Sequence, residues 1–162
     1  MMIRIKKILF ILFSVCIVST ALAQDSYATL SMKVLLKNKK DKQYAWENDS
    51  NSTYITYLGK INTDTGKQYK IIIIKNVWGP NKHTYGSIWV YDTSNSYIGR
   101  FVLGDAYDLP IKIKKNKLIF SNKGKGCAKL IYAKIDFHQG IPKNIFIPAC
   151  EGMGDIYQFS KD

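Results

Sequence analysis

From Tyr54 to Phe159 the chain is a succession of short runs rich in β-branched and aromatic residues, each closed by a cluster of Asn, Asp, Gly, Ser or Lys. The runs are 54–61, 69–77, 87–92, 97–103, 111–114, 117–121, 128–137, 145–149 and 156–159. Segments this short, β-rich and evenly punctuated suit strands better than helices. Consecutive antiparallel hairpins are the simplest way to join them. The expected fold class is therefore all-β: a single small antiparallel β-sandwich or β-barrel built from consecutive hairpins over residues 54–162.

Turn chemistry pairs the neighbours. Asn62-Thr63-Asp64-Thr65-Gly66 joins the first two runs and Asp92 to Ser96 joins the third to the fourth, both with residues that tolerate tight reversal. A two-residue turn at Lys115-Asn116 places Ile113 opposite Leu118 and Ile111 opposite Phe120, which gathers apolar groups on one face. The run Ile71-Ile72-Ile73-Ile74 has no polar face at all. That predicts an interior strand covered on both sides.

Residues 24–53 are polar and form a weakly structured N-terminal segment with a short strand or helix. Within it, Ala28 to Lys37 is ambiguous. Ala28, Leu30, Met32 and Val34 alternate as in a strand, while Met32, Leu35 and Leu36 make a helical stripe.

Residues 1–23 read as a cleaved signal peptide. Arg4, Lys6 and Lys7 form a basic start, Ile8 to Val18 an apolar stretch, and Ala21-Leu22-Ala23 a small-residue site for cleavage before Gln24. The stretch spans only about half of a ~30 Å hydrocarbon core, which argues against an anchor. Cys16 follows Phe13-Ser14-Val15, whose Val is too bulky for lipoprotein processing, so Cys16 is discarded with the signal. The expected location is periplasmic or secreted, with no transmembrane segment in the mature chain.

The cysteines that then remain, Cys127 and Cys150, are an even pair in an oxidising compartment, which reads as a disulfide. If His138-Gln139 is a two-residue turn between paired strands, the two cysteines fall opposite one another. Pro142 and Pro148 cannot donate to a ladder, so the returning strand is expected at an edge or broken.

Charge narrows the partners. The formal charge is +12, and +9 once Arg4, Lys6 and Lys7 leave with the signal. Nearly all of it is Lys, with little of the planar Arg fork on which phosphate and base recognition relies, and nucleic acid is scarce outside the cell. No nucleic-acid role follows. Lys112, Lys114, Lys115 and Lys117 crowd around one turn, with Lys123 and Lys125 soon after. They are read either as a solvated face that keeps a β-protein soluble or as a patch for an anionic polysaccharide or lipid surface. Salt dependence separates the two readings.

Catalytic chemistry is sparse. Asp105 and Asp108 form a close carboxylate pair, and with His83 they are the residues an envelope hydrolase would have to use. The plainer reading is that the carboxylates cap turns in their own loop. The stretch 62–67 lacks the Gly position and bidentate Glu of a calcium loop. Gly124-Lys125-Gly126 and Gly152-Met153-Gly154 lack the context of a nucleotide site. No metal, cofactor or catalytic assignment is made. The segment from Trp78 to Gly86 concentrates aromatic, amide and basic groups in what reads as a loop, with Trp78, His83 and Tyr85 as candidate binding residues. The alternative is that Trp78 and Tyr85 turn inward to cap the core. The functional expectation is a secreted or periplasmic non-enzymatic binding protein for anionic envelope components or a protein partner. An envelope hydrolase and a purely structural envelope protein are the alternatives.

Overall fold

The structure, a computed structural model, describes residues 27–47, 51–122, 131–149 and 153–161. Residues 1–23 with Cys16, the lysines at 123 and 125, and both Cys127 and Cys150 lie outside the described residues.

The ambiguous N-terminal stretch is a helix, α1, over 27–37. Its inward stripe is Tyr27, Leu30, Ser31, Val34 and Leu35, the spacing of one helical face. Leu35 belongs to the stripe anticipated from the sequence, but Met32 and Leu36 face solvent instead. Asn38 ends the helix in the left-handed region at φ 47°, its N–H donating back to the carbonyls of Val34 and Leu35. The strand alternative loses because a helix can present Ser31, Val34 and Leu35 together to a sheet, whereas a strand would turn half of them outward.

Ten strands follow: β1 (Gln43–Glu47), β2 (Asn51–Asn62), β3 (Gln68–Trp78), β4 (His83–Tyr91), β5 (Tyr97–Leu103), β6 (Lys112–Lys114), β7 (Lys117–Asn122), β8 (Ile131–Asp136), β9 (Asn144–Pro148) and β10 (Gly154–Ser160). They form two antiparallel sheets. One has seven strands in the order β1-β2-β3-β4-β5-β10-β9, and the other has three in the order β6-β7-β8. No closed barrel forms among the described residues. β6 lies against β2 and β8 against β9, but neither pair shares a ladder.

The large sheet is the middle layer. Its inner face packs Ile71, Ile88, Phe101 and Leu103 against Leu118 and Phe120 of the small sheet. Its other face packs Ile55, Ile72, Ile74 and Trp89 against Val34 and Leu35 of α1. The four consecutive isoleucines of β3 are divided between these two cores, odd numbers toward the small sheet and even numbers toward the helix. β3 is an interior strand covered on both sides, as its sequence requires.

β2 changes faces along its length. Ile55 and Tyr57 look toward α1, whereas Leu58 and Ile61 look toward the small sheet, because a bulge between Tyr57 and Gly59 inserts one residue. Gly59 takes φ 121° there, a conformation that side chains avoid.

The Lys115-Asn116 turn has both residues at positive φ, 49° and 59°, which is the two-residue hairpin turn. Ile113 pairs with Leu118 as expected. Ile111 does not join the apolar face: it precedes β6 and is half exposed.

One expected hairpin does not form. A turn exists at His138-Gln139, closed by the Gly140 N–H donating to the Phe137 carbonyl at 2.9 Å. The strands leaving it diverge, however: β8 pairs with β7 in the small sheet and β9 with β10 in the large one. The pairing of 131–136 with 144–148 on which that cysteine register rested is therefore absent among the described residues, and Cys127 and Cys150 themselves lie outside them. Phe137 explains the split, since it is fully buried between the sheets and turns the chain from one layer to the other. β9, which carries Pro148, is the edge strand of the large sheet, where a missing N–H costs no ladder bond. No helix among the described residues is long and apolar enough to cross a membrane.

Candidate functional site

The outer face of the small sheet gathers the lysines that the sequence placed around one turn. Strand alternation sends Ile113, Leu118 and Phe120 inward and leaves Lys112, Lys114, Lys117 and Ile119 outward. β8 adds Lys134 opposite Ile119 and Tyr132 opposite Ser121. Lys112, Lys114, Lys115, Lys117, Lys134 and Tyr132 thereby line one open cavity of about 500 Å³, with Ile111 and Ile119 as its apolar floor.

The electrostatics of this groove are unbalanced. Lys114 stands directly opposite Lys117, a like-charge pair that a sheet disfavours. Lys117 is relieved by Asp136, its Nζ 2.5 Å from Oδ2. That hydrogen bond, helped by the His138 N–H, holds the Asp136 carboxyl down to about 2. His138 Nδ1 lies 3.2 Å from the other Asp136 oxygen. Among the described residues, no other lysine of the groove has a salt bridge. Ammonium groups held this close repel one another, and a bound anion lowers that cost. Sequence reading found four of the five lysines and missed Lys134, Tyr132 and the exposed Ile111. Ala133-Lys134-Ile135 alternates visibly, but only the β7–β8 pairing shows that Lys134 joins Lys112 and Lys117.

Trp78, His83 and Tyr85 are also brought together, on the opposite side of the molecule. They are not in a long loop: β3 runs to Trp78 and β4 starts at His83, so the turn is only residues 79–82. Trp78 and His83 are cross-strand partners with ring centroids 5.8 Å apart, and Tyr85 meets Trp78 edge-on at 5.3 Å. Trp78 stays 40% exposed rather than capping the core. Next to them the registers of four strands align Trp46, Thr53, Asn76 and Tyr85 in one row. Trp46, Tyr27 and Asn76 are functional candidates that sequence reading missed, because the first two sit in a segment read as weakly structured and Asn76 in a run read as core.

The hydrolase candidates do not converge. Asp105 accepts the Tyr107 N–H at 3.0 Å and the Thr84 hydroxyl at 2.8 Å, capping the 3-10 turn Ala106–Asp108. Asp108 accepts the Tyr157 hydroxyl at 2.7 Å, which ties the loop to β10. His83 lies on the helix-side face of β4 with Tyr85, while Thr84, which binds Asp105, points to the other face. None of the three lines the lysine groove. Among the described residues, no three His, Cys, Asp or Glu side chains group to hold a metal. Comparison with protein-family models, curated proteins and solved structures finds no match for this chain.

Proposed function

We propose that the protein is an exported, non-enzymatic binding module whose ligand is an acidic polysaccharide of the cell envelope, held along the outer face of β6, β7 and β8. The observation that carries this reading is the single groove lined by Lys112, Lys114, Lys115, Lys117, Lys134 and Tyr132. A polyanionic chain suits it in three respects. Its charges neutralise ammonium groups of which, among the described residues, Lys117 alone has a carboxylate, its rings lie on the exposed face of Tyr132, and its length follows a groove rather than a point. The basic start and apolar stretch of residues 1–23 support export to where such polymers occur.

The test is retention of the mature protein on immobilised polygalacturonate under a salt gradient. The variant with Lys112, Lys114, Lys115 and Lys117 changed to Gln should elute at markedly lower salt. A control with Lys33, Lys37, Lys39 and Lys42 changed to Gln loses the same four charges from exposed positions on and just after α1, and should elute close to the parent. Equal retention of all three proteins would show that the groove lysines take no part, and equal loss in both variants would show that net charge alone is responsible; either outcome overturns the reading. Cosedimentation with anionic phospholipid vesicles but no retention on polysaccharide would reassign the groove to a lipid surface.

A further inference from the structure

The second cavity differs from the lysine groove in its chemistry. It is an open pocket of about 440 Å³ at one end of the helix-side face of the large sheet, where α1 no longer covers the strands. Its floor is the row Trp46, Thr53, Asn76 and Tyr85, one residue from each of β1 to β4. Trp78 flanks the row, and Tyr27 of α1 forms a wall.

The polar groups of the floor form a connected set. The Thr53 hydroxyl donates to the Asn76 side-chain oxygen at 2.9 Å. The Tyr85 hydroxyl in turn interacts with the Asn76 side chain and with the Tyr27 hydroxyl. Asn76 is 6% exposed, so its amide is fixed in place rather than free to adapt. Such a row offers donors and acceptors at set positions between two aromatic surfaces.

Among the described residues no Lys or Arg lines this pocket, although the whole chain carries +12. A cation acts from outside the lining: Arg100, which stands over the Trp89 ring and lowers the Tyr85 hydroxyl against the rise that burial causes. Among the described residues the one charged group in the lining is Glu47, whose carboxylate already accepts the Tyr54 hydroxyl at 3.0 Å. Indole faces, fixed amide and hydroxyl groups, and a described lining without Lys or Arg together match the surface of a neutral pyranose. Its C–H face stacks on a ring while its hydroxyls exchange hydrogen bonds at the edge. We propose that this pocket is a second binding site, for a neutral saccharide of two or three rings, separate from the lysine groove and independent of what that groove binds.

The test is titration of the mature protein with cellotriose, maltotriose and tri-N-acetylchitotriose, followed by tryptophan fluorescence and calorimetry. At least one should bind saturably, with a dissociation constant between about 10 μM and 1 mM. Binding should hold when salt is raised to about 0.5 M and when the four groove lysines are Gln, which separates this site from the polyanion reading. Trp78→Ala and Trp46→Ala should each weaken it about tenfold. Trp78→Phe, which keeps a stacking face, should stay within about threefold and shows that loss in the Ala variant is not unfolding. No saturable response to any of the three up to about 10 mM overturns the proposal. Binding unchanged in both Ala variants, or abolished by salt or by the lysine changes, also overturns it.

Discussion

At the level of single residues, Gly99 is where close packing leaves no room for a side chain. Gly99 lies where β4 and β5 slip register, and β10 crosses it. A Cβ there would collide with the Phe159 ring and with the Ser160 carbonyl oxygen. The crossing matters because, among the described residues, β10 joins β5 through Phe159 with Phe101 and Ser160 with Arg100. Gly99→Ala should therefore cost about 1–3 kcal/mol in urea unfolding, since the obstacle includes backbone that cannot rotate away. A variant as stable as the parent would mean that β10 shifts freely. Nothing in the sequence around Gly99 marks it out, because the clash comes from residues sixty positions later.

Among the elements, α1 and β3 depend on each other. The isoleucines of β3 are apolar on both faces, so some layer must cover the side that the small sheet does not reach. α1 supplies it with Val34 and Leu35, which are 1% and 4% exposed. Leu35→Ala should destabilise by about 2–5 kcal/mol, measured as a lower urea midpoint, because it leaves a cavity against Ile72 and Ile74. Leu36→Ala, at a position 71% exposed, should change stability by less than about 0.5 kcal/mol and serves as the control. The ambiguity of Ala28 to Lys37 had a physical source. Both periodicities fit the apolar positions, and only the shape of the sheet beneath selects between them.

For the whole molecule, the helix-side core makes stability sensitive to alkali. Burial pushes the Tyr91 hydroxyl up to about 12, and burial together with the neighbouring Tyr27 hydroxyl does the same to Tyr85. In the unfolded chain both ionise near about 10. Between those values the folded state holds protons that the unfolded state has released, so stability is complete below pH ~10 and falls as pH rises toward ~12. Thermal unfolding at about pH 9, 10 and 11 should show a decreasing Tm, with a shallower decrease in Tyr91→Phe. A Tm that stays level over this range would contradict the burial of these rings.

The chain by itself, though it left β1 and the start of β4 unmarked, determined most of the strands from Tyr54 onward, the doubly covered β3, the turns at 62–66, 92–96 and 115–116, and the lysines that crowd around the last of these. All of these rest on contacts between near neighbours, where side-chain periodicity and turn chemistry act over a few residues. Tertiary structure alone decided that β8 and β9 separate into different sheets, that Lys134 and Tyr132 complete the groove, and that Trp46, Thr53, Asn76 and Tyr85 stand in one row. Each of these depends on which distant strand becomes a neighbour. That choice is set by filling two cores on either side of one sheet, a condition on the whole chain that no short segment records.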